Sequence, residues 1–347
     1  MAGGAGERFW PRSRRARPKP LLAVLGGHTL LAAALARARA FAGPDRTWLV
    51  CTEENAAAFR AASGLSRARV LVEPRGRNTA MAVGFAAAHV AAVDRDAVTA
   101  FLPADHVIPD TRAFAAALAR AAQAADRGRA LVTLGIRPTR PDTGYGYIQV
   151  GAPLGRAHPG LRRVRRFREK PSLPVARRML RAGGHLWNAG IFVWRADTIL
   201  AELARWAPAL GRPLAAYRER PSRARLERAY RTAPSLPIDV AVLERSDRVW
   251  TLPVRFRWND VGNWASLADE LGVRAGRSHV VEGRAILIDA GGNLVWPAGG
   301  RLVSLIGVEG LAVIDAGDAL LVARLERAAD VRRVVAELRR TGRGALL

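Results

Sequence analysis

The first 136 residues alternate with a regular beat. Short apolar runs at Trp48–Cys51, Arg69–Val72, Val98–Leu102 and Leu131–Ile136 are separated by Ala-rich amphipathic stretches. Those stretches read as helices over Thr29–Phe41, with Thr29 at the N-cap, and over Glu54–Ala62, Thr79–Val93 and Thr111–Asp126. Strands and helices in strict alternation pack as one sheet with helices on both faces. The chain is therefore expected to be α/β, with a Rossmann-like, doubly wound, mostly parallel sheet. Ligands in such sheets bind beyond the C-terminal strand ends. Polar clusters do follow the strands here: Glu73-Pro74 after one, Pro103-Ala104-Asp105-His106 after another.

From 140 to 265 the order is looser and richer in strands. Tyr147–Val150, Arg162–Glu169, Ile191–Trp194 and Arg248–Pro253 read as extended, and Trp264–Leu271 as a short helix. After Gly276 short apolar runs are punctuated by Gly291-Gly292, Gly299-Gly300, Gly307, Gly310 and Gly317, before a helix over Asp330–Arg340. This predicts a large domain over 1–272 and a small β-rich unit over 278–347, closer to an irregular β-helix than to a sandwich.

The chain carries 55 Lys and Arg against 30 Asp and Glu, a net charge of +25. Such charge suits nucleic acid or an anionic small molecule. The arginines are spread along the chain, and no zinc-finger, RNA-recognition or basic-zipper pattern appears, so no specific nucleic-acid partner is expected. No apolar run approaches the roughly 18 residues of a membrane span. The single cysteine, Cys51, rules out an intramolecular disulfide, and its apolar run marks it as a core residue rather than a nucleophile. A cytoplasmic protein is expected, with a homodimer as the assembly considered.

Only two of the 55 basic residues are lysines, and both precede proline: Lys19 and Lys170. Lys is a compact ammonium on a thin stem, whereas Arg is a wide planar fork. Both lysines are read as point-charge contacts to anionic ligand groups.

Six motifs surround them. Gly3-Gly4-Ala5-Gly6-Glu7-Arg8-Phe9-Trp10-Pro11, running on to Lys19, offers backbone N–H groups and two cations to phosphates. It is neither a Walker loop nor a dinucleotide fingerprint. Pro103–His106 places Asp105 at a strand end, where a carboxylate can ligate Mg²⁺ together with substrate phosphates. His106 has no His partner at metal spacing and reads as a hydrogen-bonding neighbour. Trp258–Trp264 adds a second carboxylate, Asp260, at a position where an Asp is ordinarily an N-cap or turn residue. The remaining three are Pro141–Ile148, Phe167–Pro171 and Leu186–Phe192. Taken singly each is also compatible with a structural turn; together their Gly, Tyr, Glu and Asn residues suit a polyhydroxylated ligand.

The order and spacing of the six motifs resemble the sugar-1-phosphate nucleotidyltransferases over roughly residues 2 to 345. Glu73-Pro74-Arg75-Gly76-Arg77-Asn78-Thr79-Ala80 and Trp187-Asn188-Ala189-Gly190 resemble the mannose-1-phosphate guanylyltransferase branch. The resemblance implies a nucleotidyltransferase type A-like domain that joins GTP to mannose 1-phosphate, with Mg²⁺ as cofactor. It implies that Gly3, Gly4, Gly6, Arg8 and Lys19 hold the triphosphate, and that Asn78 and Thr79 lie by the nucleoside. Asp105 and Asp260 are the implied metal ligands, Lys170 the implied contact to the sugar phosphate. Gly144, Tyr145, Glu169 and Asn188 are expected around the mannose. Arg8, Lys19, Asp105, Lys170 and Asp260 form the expected catalytic set. Other sugars or nucleotides, or a catalytically silent sugar-nucleotide binder, are the alternatives within the resemblance.

Two departures accompany it. The family's fused isomerase cupin is absent from this sequence, so a monofunctional form is expected. The family's first apolar strand is also missing before the Gly-rich turn, and the native chain is expected to begin several residues upstream of Met1.

Overall fold

A computed structural model describes residues 1–4 and 6–347; Ala5, in the first Gly-rich motif, lies outside the described residues. A small hairpin of β1 (Ala23–Leu25) and β2 (His28–Thr29) leads into α1 (Leu30–Ala42), whose Thr29 hydroxyl caps the helix by accepting from the Ala32 N–H at 3.1 Å. The expected alternation follows as β3 (Leu49–Thr52), α2 (Ala56–Ser63), β4 (Val70–Glu73), α3 (Asn78–Ala91), β5 (Val98–Phe101), α4 (Thr111–Gly128) and β6 (Leu131–Ile136). Next come β7 (Tyr147–Pro153), β8 (Arg162–Arg168), α5 (Leu173–Ala182) and β9 (His185–Arg195). Three consecutive helices that sequence reading did not resolve then cover one face: α6 (Ala196–Trp206), α7 (Pro208–Glu219) and α8 (Arg223–Thr232). A π-turn at Asp239–Leu243, β10 (Val249–Val254) and α9 (Trp264–Glu270) complete this part.

The sheet is more mixed than a mostly parallel one. β3 and β4 pair in parallel, and β6 pairs in parallel with β10. The six-stranded sheet runs β5-β9-β6-β10-β8-β7, with β9 antiparallel to both β5 and β6. The cause is the β7–β8 hairpin, an antiparallel pair whose short connection sends the chain back before α5 delivers it into β9 from the opposite end. α3 is buried nearly all round rather than along one face: 10 of its 14 residues are buried, between the sheet and α6–α8. Met81, Phe85, Trp194, Leu203, Leu210 and Tyr230 pack in this core.

Met1 and Ala2 bridge the two sheets. The Met1 ammonium donates to the Leu102 carbonyl at 2.7 Å, the Ala104 N–H to the Met1 carbonyl at 3.0 Å, and the Ala2 N–H to the Val50 carbonyl at 2.8 Å. Between the sheets lies an apolar cavity of about 500 Å³, lined by Met1, Trp48, Val50, Leu71, Val98 and Phe101 among others. Cys51 is fully buried and its thiol is pushed up to about 11 by burial, as suits a core residue.

The C-terminal unit is β-helix-like. β11 (His279–Val280), β13 (Leu294–Trp296) and β15 (Leu311–Asp315) stack in parallel, as do β12 (Arg284–Ile288) and β14 (Leu302–Ile306). An antiparallel β16 (Leu320–Arg324) and α10 (Val331–Arg340) close it. Asn293 ties successive turns together, donating to the Val308 carbonyl and accepting from the Leu311 N–H, both at 2.8 Å. Leu294, Trp296, Ala312 and Ile314 pack on Phe9, Trp10 and Trp264 of the larger part. Arg12 and Arg14, which follow the Gly-rich motif, clamp the two parts: Arg12 lies over Trp296 and Arg14 makes a two-pronged ion pair with Asp318. Among the described residues, no helix is long and apolar enough to cross a membrane.

Candidate active site

The Gly-rich turn sits at the C-terminal ends of β3 and β4. Gly6 has φ +61, and a Cβ there would fall 2.6 Å from both the Lys19 Cβ and the Ser13 Oγ, so only glycine fits. Gly4, at φ +107, borders a cleft of about 370 Å³ together with Arg14, Arg15, Arg75, Thr52 and Pro74. Glu53 and Glu54 line the same cleft; Arg14 is paired with Asp318 and Arg15 lies 3.8 Å from Glu54, so Arg75 is the third cation at the cleft. Gly3 opens this turn, and the Arg8 Nη1 donates to the Gly262 carbonyl at 3.4 Å.

Lys19 is the hub of the next cluster. Its ammonium contacts the Asp105 carboxylate at 2.6 Å and the Asp260 carbonyl at 2.8 Å. The two acidic residues meet because Val107 and Asn259 pair in both directions, at 2.8 and 3.0 Å, and lay their segments side by side. Asp260 is not the cap of α9. Asn263 and Ser266 form the capping box instead, which leaves the Asp260 carboxylate free for other work. Val261, just after it, adopts φ +46, a strained value for a β-branched residue. Burial pushes the Asp105 carboxyl up, but Lys19 and His106 outweigh it and hold the group below its usual range. His106 is a hydrogen-bonding neighbour as expected, accepting from the Trp258 Nε1–H at 3.2 Å, with burial lowering its imidazole to about 4.

Tyr145 was expected beside the sugar. Its hydroxyl is bonded to the Asp260 carboxylate at 2.9 Å, and its ring packs edge-on against Trp187 and Trp258. Burial drives the phenol far above its usual range, so it stays a donor. Tyr145 therefore links the carboxylate cluster to the other half of the site.

That half gathers the last three motifs. Gly144 turns the chain by donating to the Asp142 carboxylate at 2.8 Å. A Cβ on Gly146 would lie 2.6 Å from the Glu169 Oε2, and the Gly146 carbonyl accepts from the Asn188 N–H at 2.8 Å. Glu169 carries an ion pair with Lys170 at 2.8 Å, and Lys170 itself has φ +41. Asn188 lies inside β9 rather than in a turn; its amide accepts from Thr133 at 2.8 Å and donates to Asp239 at 2.8 Å. Of the nucleoside pair, Asn78 is exposed at the start of α3 with φ +63, while the Thr79 hydroxyl accepts from the Ile238 N–H at 2.8 Å.

Asp239 and Glu244 were missed by the sequence reading. Asp239 is buried, and burial together with the charge of Glu169 pushes its carboxyl up to about 7. Glu244 accepts from the Glu169 N–H at 2.9 Å. The available signal was an acid interrupting the apolar run Leu236-Pro237-Ile238-Asp239-Val240-Ala241-Val242-Leu243. A buried carboxylate there needs a polar partner.

Among the described residues, no group of three or more His, Cys, Asp or Glu side chains could hold a metal ion without further ligands. Asp105 and Asp260 nevertheless fit Mg²⁺, which takes one or two carboxylates and fills the rest of its shell with water and substrate phosphates. The space beside Asp260 is kept by Gly262, whose Cβ would sit 3.0 Å from the Asp260 Oδ2.

The nucleotidyl transferase family profile matches residues 1–272, and that of MannoseP isomerase/GMP-like beta-helix domains matches residues 283–338. Alginate biosynthesis protein AlgA of Pseudomonas aeruginosa is 38% identical over 351 residues, covering 99% of this chain and 72% of its own. Mannose-1-phosphate guanylyltransferase of Escherichia coli K12 is 34% identical over 355 residues, covering 99% of this chain and 73% of its own. The crystal structure of mannose-1-phosphate geranyltransferase from Thermus thermophilus matches with a TM-score of 0.89 at 38% identity, over 98% of both chains.

Proposed function

The chain belongs to the nucleotidyl transferase family, and from that premise we propose that it joins GTP to mannose 1-phosphate, forming GDP-mannose and pyrophosphate. The observation that carries this reading is the placing of Lys19 between Asp105 and Asp260, with Tyr145 joining the Asp260 carboxylate to Trp187, next to Asn188.

A phosphate oxygen of mannose 1-phosphate attacks the α-phosphorus of GTP. The new P–O bond forms as the bond to the bridging oxygen breaks, and that electron pair leaves on pyrophosphate. Catalysis then rests on positioning and charge neutralisation. Arg8, Lys19 and the N–H groups of the Gly3–Gly6 turn hold the triphosphate. Asn78 and Thr79 lie at the nucleoside end. Asp105 and Asp260 would hold Mg²⁺, which when bound neutralises charge on the phosphate oxygens. Lys19 has two of its three N–H donors on Asp105 and the Asp260 carbonyl, and offers the third to phosphate. Lys170 turns from Glu169 to the sugar phosphate, which frees the Glu169 carboxylate to accept from sugar hydroxyls beside Asn188 and Gly144. Tyr145 keeps the Asp260 carboxylate oriented. GTP and sugar phosphates are charged and retained inside cells, which supports a cytoplasmic site of action.

The test is pyrophosphate release across a matrix of nucleoside triphosphates and sugar 1-phosphates with Mg²⁺. GTP with mannose 1-phosphate should be the best pair. Equal or better turnover of dTTP or UTP with glucose 1-phosphate would overturn the substrate assignment.

A further inference from the structure

We propose that the segment Ile238–Glu244, with Asp239 at the head of its π-turn, is a positioning element that sets the sugar half of the site and ties it to the nucleoside half. This inference rests on the substrate reading above. The segment lies outside all six motifs, yet it hydrogen-bonds to three residues assigned to substrate. The Ile238 N–H donates to the Thr79 hydroxyl at 2.8 Å, the Asp239 Oδ1 accepts from the Asn188 amide at 2.8 Å, and the Glu244 Oε1 accepts from the Glu169 N–H at 2.9 Å. Just ahead of the segment, the Leu236 carbonyl accepts from the Ala80 N–H at 3.1 Å, a further tie to the start of α3.

The π-turn is what allows this. The Glu244 N–H donates to the Asp239 carbonyl at 2.9 Å, five residues back, so the two carboxylates come round to nearly the same side. In an α-helix of about 3.6 residues per turn they would point roughly 140° apart. Asp239 could then reach Asn188, or Glu244 could reach Glu169, but not both. Ala241, Val242 and Leu243 are buried in the core shared with α3, which holds the turn in place.

Asp239 acts through Asn188. The Asn188 Oδ1 is taken by the Thr133 hydroxyl at 2.8 Å and the Gly190 N–H at 3.2 Å, and one Nδ2–H is taken by Asp239. With both ends engaged the amide cannot flip, and its second N–H is left for a sugar hydroxyl. The charged groups facing Asp239 are Glu169 and Lys170 at the end of β8 and Glu244 on its own turn. Burial and Glu169 keep the Asp239 carboxyl at about 7, so it becomes a pure acceptor as pH rises through neutrality.

Steady-state kinetics with both substrates varied test this, with wild type, Asp239→Asn, Thr79→Val and the double variant measured side by side and each melted thermally. Asp239→Asn should raise KM for mannose 1-phosphate by about tenfold while KM for GTP moves by no more than about twofold. Its sugar KM should also lose the dependence on pH near neutrality that wild type shows beyond the ionisation of the sugar phosphate itself. Thr79→Val should raise the sugar KM although Thr79 lies on the nucleoside side, and its effect should not add to that of Asp239→Asn. Unchanged sugar KM in Asp239→Asn, additive effects in the double variant, or equal losses in kcat and both KM values would overturn the proposal. A wild type that turns over a different sugar phosphate would sink the substrate reading alone; the same four proteins measured with that sugar phosphate then decide the role of Asp239.

Discussion

Lys19 and Lys170 hold opposite halves of one site, and they hold them differently. The Lys19 side chain is 8% exposed and locked between Asp105 and the Asp260 backbone, over the Phe9 ring. The Lys170 side chain is 57% exposed, stands on a strained left-handed residue and pairs with Glu169. The phosphate half is thus assembled before substrate arrives, while the sugar half keeps an open cation. The difference teaches where rigidity is placed: around the carboxylates, where charge changes during transfer, and not around the group that first captures the sugar phosphate.

The comparison is broken most severely by removing the carboxylate charge. Asp105→Asn and Asp260→Asn should each lower kcat/KM on the order of 10²-fold or more while the melting temperature stays near wild type. Near-normal turnover in either variant would remove that residue from the phosphate half. Lys19→Arg comes next. A guanidinium does not fit where an ammonium is packed against Gly6 and Asp105, and a displacement of about 1 Å can cost on the order of 10²-fold. Lys170→Arg has room, so its loss should be about tenfold and fall on KM for mannose 1-phosphate. If Lys170→Arg proved the more damaging of the two, the contrast between a closed and an open half would be wrong. Gly146→Ala should also act on the sugar half, by pushing Glu169 aside; a loss of about tenfold in sugar KM without a GTP effect is expected.

The smallest effect concerns stability in the closed half. Glu73, at the end of β4, is buried and accepts from the Tyr230 hydroxyl at 2.9 Å; burial, outweighing that bond, pushes its carboxyl up from 4.5 to about 7. A raised carboxyl means that the folded state binds the proton more tightly than the unfolded one. Stability contributed by this group is therefore full below pH 4.5 and falls as pH rises to about 7. Glu73→Gln keeps an acceptor for Tyr230 and removes that fall. Its melting temperature should match wild type near pH 4.5 and exceed it at pH 8 by about 2–4 °C. An equal gap at both pH values would show that Glu73 does not titrate in this range.

Legibility in the sequence follows the same division. The strand–helix alternation before residue 136 was plain because each element carries its own period, and Thr29 announced its helix as an N-cap. Asp105, Asp260 and the Gly-rich turn drew notice through the resemblance that the six motifs carry together; taken singly, Asp260 reads as an ordinary cap or turn residue. α6, α7 and α8 were not readable: Ala and Arg fill them, and Arg stems cover apolar surface as well as facing water, which blurs the amphipathic pattern. Leu186–Phe192 looked like a turn because of Gly190 and Asn188, yet it runs inside β9, where Gly190 takes φ +66. The link from Tyr145 to Asp260 spans 115 residues, and that from Asp239 to Asn188 spans 51. Contacts of that kind depend on strand order, which a local pattern does not carry.

The central claim is that the two halves act together on two substrates in one displacement. GTP carrying sulfur at the α-phosphorus in one defined configuration, turned over with mannose 1-phosphate, tests it directly. The account predicts a GDP-mannose analogue with the configuration at phosphorus inverted, as a single in-line attack requires. Retained configuration would contradict it, because two successive displacements through a nucleotidyl-enzyme would then be at work.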